Sequence, residues 1–291
     1  MAAYRKESFL MHEKFTISQL LAVMSSLRHP QLGCEWDKKQ TLKKLTSYTL
    51  EEVYEVIDAV ERQDDAHLQD ELGDLLFQIV FYSQIAQEEG RFDFGDVVNS
   101  ITEKLLRRHP HVFPDGTIAS FGSLANASIS AEQVAVNWEL IKNQERSSKA
   151  QGDAERVSLM DDVPYSLPAI DRARKLQKRA ATVGFDWESI GPVLEKLQEE
   201  IRELEVEIAS GNHDRMAAEL GDVLFSCVNL ARHLNVEPEA ALRDSNRKFE
   251  TRFRALEACA AAQSKPLSAL SAGEMNDLWG AIKLRESDDS K

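Results

Sequence analysis

Two groups of acidic residues in this chain share one spelling: Glu51, Glu52 and Glu55 precede Glu71 and Asp74, and Glu199, Glu200 and Glu203 precede Glu219 and Asp222. Each group reads EExxE, with an ExxD that begins sixteen residues after the last glutamate (71 − 55 and 219 − 203). Residues three apart share a helix face, so each half of the chain offers two helical pairs of carboxylates. Packed as an antiparallel hairpin, the two pairs converge. Such a cluster left alone repels itself and titrates upward, and a hard divalent cation with oxygen ligands, Mg²⁺ or Mn²⁺, removes that conflict.

Plainer readings compete with metal binding. A glutamate stripe is usually a solvated face, and "TLEE" spells a capping box with Thr49 as N-cap and Glu52 at the third helical position. The second half has no such box. There Pro192 is expected as the first helical residue, which leaves Glu200 and Glu203 in mid-helix where no cap needs them. The ExxD pairs run into "LLFQIVFY" and "VLFSCVNL", apolar on nearly all sides and expected to be buried, so a carboxylate at their mouth needs a partner. Gly73 and Gly221 cost a helix about 1 kcal/mol each, which predicts close approach of another helix or of a ligand. Metal ligation is therefore favoured over an ion-pair network. A di-iron site would ask for Glu-x-x-His pairs, which the sequence lacks, and His109 and His111 straddle a proline as a helix-stop turn would.

Cations and flat rings recur as well. Lys104 with Arg108, and Lys248 with Arg252, are four apart and stack on one helix face, a pair suited to a metal-bound polyphosphate or, more plainly, to nearby glutamates. Trp138 with Lys142, and Trp279 with Lys283, combine a ring that can stack a base with a cation one turn away; the competing account is a tryptophan that anchors a terminal helix. No P-loop or GxGxxG motif is present, so phosphates would be held by metal and side chains.

The elements that must position these groups are helical. Glycine and proline are sparse (13 and 8 of 291 residues), and apolar residues recur every three or four positions. Five amphipathic segments in the first half answer five in the second. The matching positions keep a drifting offset: 151 for Trp36 and Trp187 (187 − 36), 148 for Glu71 and Glu219 (219 − 71), 144 for Arg108 and Arg252 (252 − 108), and 141 for Trp138 and Trp279 (279 − 138). A drift of three or four residues between landmarks is what unequal loops produce, so the chain is expected to be an all-α tandem duplication of one helical-bundle unit. The stretch "PDGTIASFGSLANASIS" predicts a long loop before the Trp138 helix, and "SSKAQGDAERVSLMDDVPYSLP" a linker, with the boundary near residue 155.

A formal charge of −14 gives no basic footprint for a nucleic-acid polymer and disfavours an anionic membrane. Cys34, Cys227 and Cys259 lie far apart without metal-ligand spacing and read as free thiols in a reducing compartment. With no leader-like or membrane-length apolar run, the expected location is the cytoplasm.

These residues resemble the MazG nucleoside triphosphate pyrophosphohydrolases of the all-α superfamily. The likeness is carried by "GCEWDKKQT", "YTLEEVYEVIDAV", "ELGDLLFQIVFYSQIAQEEGRFDF", "RRHPHVF", "LPAIDRARKLQKRAATVGFDW" and "ELGDVLFSCVNLARHL". It implies one MazG-like helical domain over 15–155 and another over 156–291, and Mg²⁺-dependent hydrolysis of NTPs and dNTPs to monophosphate and pyrophosphate by a homodimer. It assigns metal ligation to Glu200, Glu203, Glu219 and Asp222, with Glu52, Glu55, Glu71 and Asp74 as the first-half set. Lys248 and Arg252 fall on the phosphate-binding basics, Trp279 and Lys283 on the nucleotide-stacking pair, and Lys196 and Arg215 on further substrate contacts. Glu199 is expected to orient water or support the ligands. The resemblance places the general activity in the second half; in the first, His67 stands where Arg215 stands. The rival readings are a non-enzymatic helical scaffold, a housecleaning enzyme dedicated to dUTP or dCTP, and a regulatory protein whose one half binds nucleotide without hydrolysing it.

Overall fold

The structure is a computed structural model that describes residues 14–122, 129–150, 158–161, 163–263 and 265–289. Every regular element among them is helical, and the chain divides into two compact units, Met1–Lys149 and Ala150–Lys291. The first contains α1 (Ile17–Leu27), a single turn α2 (Glu35–Lys38), α3 (Leu42–Arg62), α4 (Asp65–Glu88), α5 (Phe94–Arg108) and α6 (Ala131–Ala150). The second contains α7 (Ala169–Ala181), α8 (Ile190–Ser210), α9 (His213–His233), α10 (Pro238–Ala262) and α11 (Ala272–Asp289). Five helices do answer five, and α2 is the one addition.

Each unit is organised by a long hairpin, α3 with α4 and α8 with α9, whose tip is built twice in the same way. The first helix ends on a left-handed residue, Gln63 (φ 57°) or Gly211 (φ 72°). The next residue caps the second helix: Asp64 accepts from the His67 amide at 3.1 Å, and Asn212 from the Arg215 amide at 3.2 Å. With only two residues at the turn, the facing positions of the hairpin are fixed in register. The first unit closes over a core of Met24, Leu45, Val80, Phe81 and Ile85 from α1, α3 and α4. In the second, Val193, Val228, Leu256 and Ile282 are buried on α8, α9, α10 and α11.

Four expectations need correction. Thr49 caps nothing: α3 starts eight residues earlier from Thr41, whose hydroxyl accepts from the Lys44 amide at 3.4 Å, and the Thr49 hydroxyl donates back to the Leu45 carbonyl at 2.9 Å. Pro192 is the third residue of α8, after Ile190 and Gly191; its missing N–H is still one of the unpaired first-turn donors. The proposed linker begins in helix, since α6 runs to Ala150; residues 151–157 and 162 of it, and 123–128 of the long loop, lie outside the described residues. Finally, α4 and α9 are not buried on all sides. Leu72 is 50% exposed and Leu224 58%, because the chain covers one face of each helix and leaves the other open.

Candidate functional site

The two hairpins gather the expected carboxylates. One oxygen each from Glu52, Glu55 and Glu71 lies within 4.8 Å of the others, and the same holds for Glu200, Glu203 and Glu219. Glu71 and Glu200 are buried in the seam, at 7% and 6% exposure, while Glu55 and Glu203 open toward solvent. Asp74 and Asp222 stand outside these triads and are exposed. Asp74 is still close enough for its charge to act on Glu52 and Glu71, and Asp222 shares a cavity wall with Glu200 and Lys196. A Cβ added to Gly73 or Gly221 would meet nothing within 4 Å, so no helix among the described residues makes the close approach expected there.

The electrostatics of the two clusters differ at two positions, those of Lys196 and His67. In the second unit Lys196 donates to Glu199 Oε1 at 2.7 Å and to Glu200 Oε1 at 2.9 Å. Its ammonium holds the Glu199 carboxyl below the usual range, and the two carboxylates push the Lys196 pKa up. Glu203 is raised, first by burial and then by Glu200 and Glu219. The first unit has Tyr48 at the matching position (196 − 148), with its ring edge-on to Trp36 at 5.8 Å. There burial raises both Glu52 and Glu71; the next cause is Asp74 for Glu52 and Glu55 for Glu71. His67, 3.2 Å from Glu71 Oε1, is the basic group at the cluster among the described residues, and Glu71 Oε2 is buried without a hydrogen-bond partner. An all-carboxylate set with an orphaned buried oxygen suits a hard divalent cation, so these residues fit the metal the resemblance implies.

Arg215 sits at the hairpin tip and pairs with Glu207 at 3.1 Å. On α10, Arg252 binds Glu286 of α11 at 2.7 Å, and Trp279 packs on Phe249 with centroids 5.5 Å apart. The first unit repeats both devices: Arg108 binds Glu145 of α6, and Trp138 meets the His109 ring at 5.2 Å. In both units, then, a terminal helix is docked by an arginine–glutamate pair and a tryptophan ring contact, edge-on for Trp138 and tilted for Trp279. His109 ends α5, in keeping with the helix-stop reading. Lys248 and Lys283 are exposed, and neither they nor Arg252 nor Trp279 is among the residues lining the cavity beside Glu200.

That cavity, about 540 Å³, was not expected from the sequence. Besides Lys196, Glu200 and Asp222 it is walled by Gln177 of α7, Trp187, and Phe225 and Asn229 of α9. Asp186 and Arg232 belong to the same wall: Asp186 binds Arg232 and His233, and hydrogen bonds led by Arg232 hold the Asp186 carboxyl down at about 2. The one signal for this wall was the pairing of Trp187 with Trp36 across the repeat. Gln177 and Asn229 follow no spacing that would have marked them.

A family model described as the MazG nucleotide pyrophosphohydrolase domain matches residues 40–113 and again 189–256. Among curated proteins, the "Nucleoside triphosphate pyrophosphohydrolase" of Escherichia coli is 48% identical over 274 residues, which cover 94% of this chain and 98% of that one. The "Nucleoside triphosphate pyrophosphohydrolase/pyrophosphatase MazG" of Thermotoga maritima is 39% identical over 265 residues, 91% of this chain and 94% of that protein. Both matched segments of the family model contain a full EExxE and ExxD set; α7, α6 and α11 lie outside them.

Proposed function

The chain belongs to the MazG nucleotide pyrophosphohydrolase family, and on that premise we propose that it hydrolyses NTPs and dNTPs to nucleoside monophosphate and pyrophosphate, using a divalent cation held by Glu200, Glu203, Glu219 and Asp222. The observation that carries this reading is the convergence of three carboxylates from two helices, built twice in one chain. Mg²⁺ is the preferred ion and Mn²⁺ a substitute, since the donors are all hard oxygens. Glu52, Glu55, Glu71 and Asp74 form the corresponding set in the first unit.

When bound, the cation neutralises the triphosphate and acidifies the attacking water. The chain's own residues do the rest. Lys196, already flanked by Glu199 and Glu200, is placed to turn its ammonium toward phosphate oxygens. Glu199, kept ionised by that lysine, is an acceptor able to orient water. Lys248 and Arg252 stabilise charge on the leaving pyrophosphate, with Arg252 exchanging Glu286 for phosphate. Trp279 and Lys283 remain the stacking pair suggested by the resemblance, although the Phe249 contact of Trp279 already gives that ring an anchoring task.

No helix among the described residues is long and apolar enough to cross a membrane. We place the enzyme in the cytoplasm as a homodimer, a reading supported by the exposed leucines beside the open glycines: Leu72 by Gly73, and Leu220 (48% exposed) by Gly221.

The deciding experiment is product analysis with ATP and dNTPs plus Mg²⁺ on wild type, Glu71→Gln/Asp74→Asn and Glu219→Gln/Asp222→Asn. Monophosphate and pyrophosphate from wild type, lost only in the second double variant, place the activity in the second unit. No turnover by wild type sinks the enzymatic reading and leaves the scaffold.

A further inference from the structure

Between α6 and α7 the chain makes a compact turn that belongs to the second unit. The Ser158 amide donates to Asp161 Oδ2 at 2.7 Å, the Met160 amide to Ser158 Oγ at 3.2 Å, and the Asp161 amide to the Ser158 carbonyl at 3.1 Å. A stretch that served only as a tether would have no need to close on itself in this way.

Two contacts fix the turn to its unit, and they are unequal. Just after it, Val163 is 2% exposed, and its amide donates to the Met160 carbonyl at 3.1 Å. Within it, the Leu159 carbonyl accepts from Arg179 Nη1 of α7 at 3.1 Å, in an exposed setting where water competes for both groups. Burial of a valine side chain outweighs an exposed hydrogen bond, so the turn is hinged at Val163 and latched at Arg179.

The latch positions Met160. That side chain lines the cavity beside Glu200 together with Leu176 and Ala180 of α7, yet it is 37% exposed, and its neighbour Leu159 39%. The other cavity residues lie on α7, α8 and α9 or in the short segment 184–187, which Asp186 fastens to Arg232 and His233 of α9. The Ser158–Asp161 turn is therefore the least fastened wall of the hollow, and it carries the residue type that adapts most readily to an irregular occupant. A ligand in the cavity gains contacts with Met160 only while the turn is docked. Occupancy must then shift the turn toward its docked position, and docking must in return strengthen binding.

We propose that the Ser158–Asp161 turn is a strap that closes the second unit's site over its ligand, hinged at Val163, held by Arg179 as a positioning residue, and bringing Met160 onto the occupant. This rests on the nucleotide reading above and adds to it a closing step, supplied by residues that lie outside both segments matched by the family model.

The test reads the strap itself. Hydrogen exchange at the Met160, Asp161 and Val163 amides is followed on the full chain with and without AMP plus Mg²⁺, and calorimetry gives the Kd of AMP. In wild type, bound AMP is expected to slow exchange at these amides about tenfold. Arg179→Gln undoes the latch: exchange in the free chain speeds up and the Kd of AMP rises about fivefold, whereas Arg179→Lys, which keeps a donor for the Leu159 carbonyl, stays within about twofold of wild type. Met160→Ala leaves exchange in the free chain as it is, weakens AMP about fivefold and removes the protection that AMP confers. AMP binding that leaves these amides unprotected overturns the strap, as does an Arg179→Gln chain that binds AMP like wild type, or an Arg179→Lys chain as weak as Arg179→Gln. Should Arg179→Gln fail to fold, the wild-type exchange and Met160→Ala still decide. Intact NTP turnover with unprotected strap amides refutes the strap alone, and a wild type that neither binds AMP nor turns over NTPs refutes the nucleotide reading and the strap with it.

Discussion

Replacing Lys196 with methionine should move ion binding and turnover in opposite directions. Its Nζ, 2.7 Å from Glu199 Oε1 and 2.9 Å from Glu200 Oε1, now occupies lone pairs that a cation would need. A charge-assisted hydrogen bond is worth about 1.5–3 kcal/mol when sheltered. The lysine side chain is 39% exposed, however, so solvent screening reduces that to about 1 kcal/mol. Removing the competitor should therefore tighten ion binding in the second unit about fivefold. Free Mn²⁺ measured by electron paramagnetic resonance during titration gives the affinity directly, on a Glu71→Gln/Asp74→Asn background so that only the second cluster reports. On the same background kcat/KM for ATP should fall at least about tenfold, because no ammonium meets the phosphate oxygens. Ion affinity that is unchanged or weaker refutes the competition, and unchanged turnover removes Lys196 from the triphosphate.

Other consequences follow from individual contacts. Asp186 is held at about 2 against an ordinary 3.8, so its ion pair stabilises the fold fully above about pH 4 and that contribution disappears as the pH falls toward 2. Asp186→Asn should cost about 2 kcal/mol at pH 6 and almost nothing at pH 2, read from urea midpoints across that range. Phe81→Ala should destabilise by about 3–5 kcal/mol in calorimetry, since the ring is wholly buried, while AMP affinity stays at the wild-type value. Glu286→Gln releases Arg252 from its α11 partner; if that arginine serves phosphate, the KM for ATP falls, and a KM that rises or stays fixed confines the pair to docking the helix.

The carboxylate triads were legible because their geometry is almost entirely local. A spacing of three puts two acids on one face, and a two-residue hairpin tip then brings the second pair back against the first, so sequence distance maps onto space with little freedom. The helix start was less legible for an equally local reason. "TLKK" and "TLEE" offer the same threonine signal eight residues apart (49 − 41), and the earlier one wins because a helix begun at Leu42 adds two turns that bring Leu45 into the core. Burial of α4 and α9 was misread because an apolar stripe records that a face will be covered without recording by what. Leu76 and Leu224 read like core residues, yet among the described residues they stay 37% and 58% exposed. The cavity was the least legible part. Gln177, Trp187, Phe225 and Asn229 come from α7, the segment before α8, and α9, and the first-unit equivalents of two of them, Ser26 and Phe81, carry no trace of a site. The carboxylates repeat across the duplication because both copies set the same acids on facing helix turns and share one electrostatic problem. The residues around a hollow are free to diverge, and here an asparagine in one copy stands where the other has a buried phenylalanine.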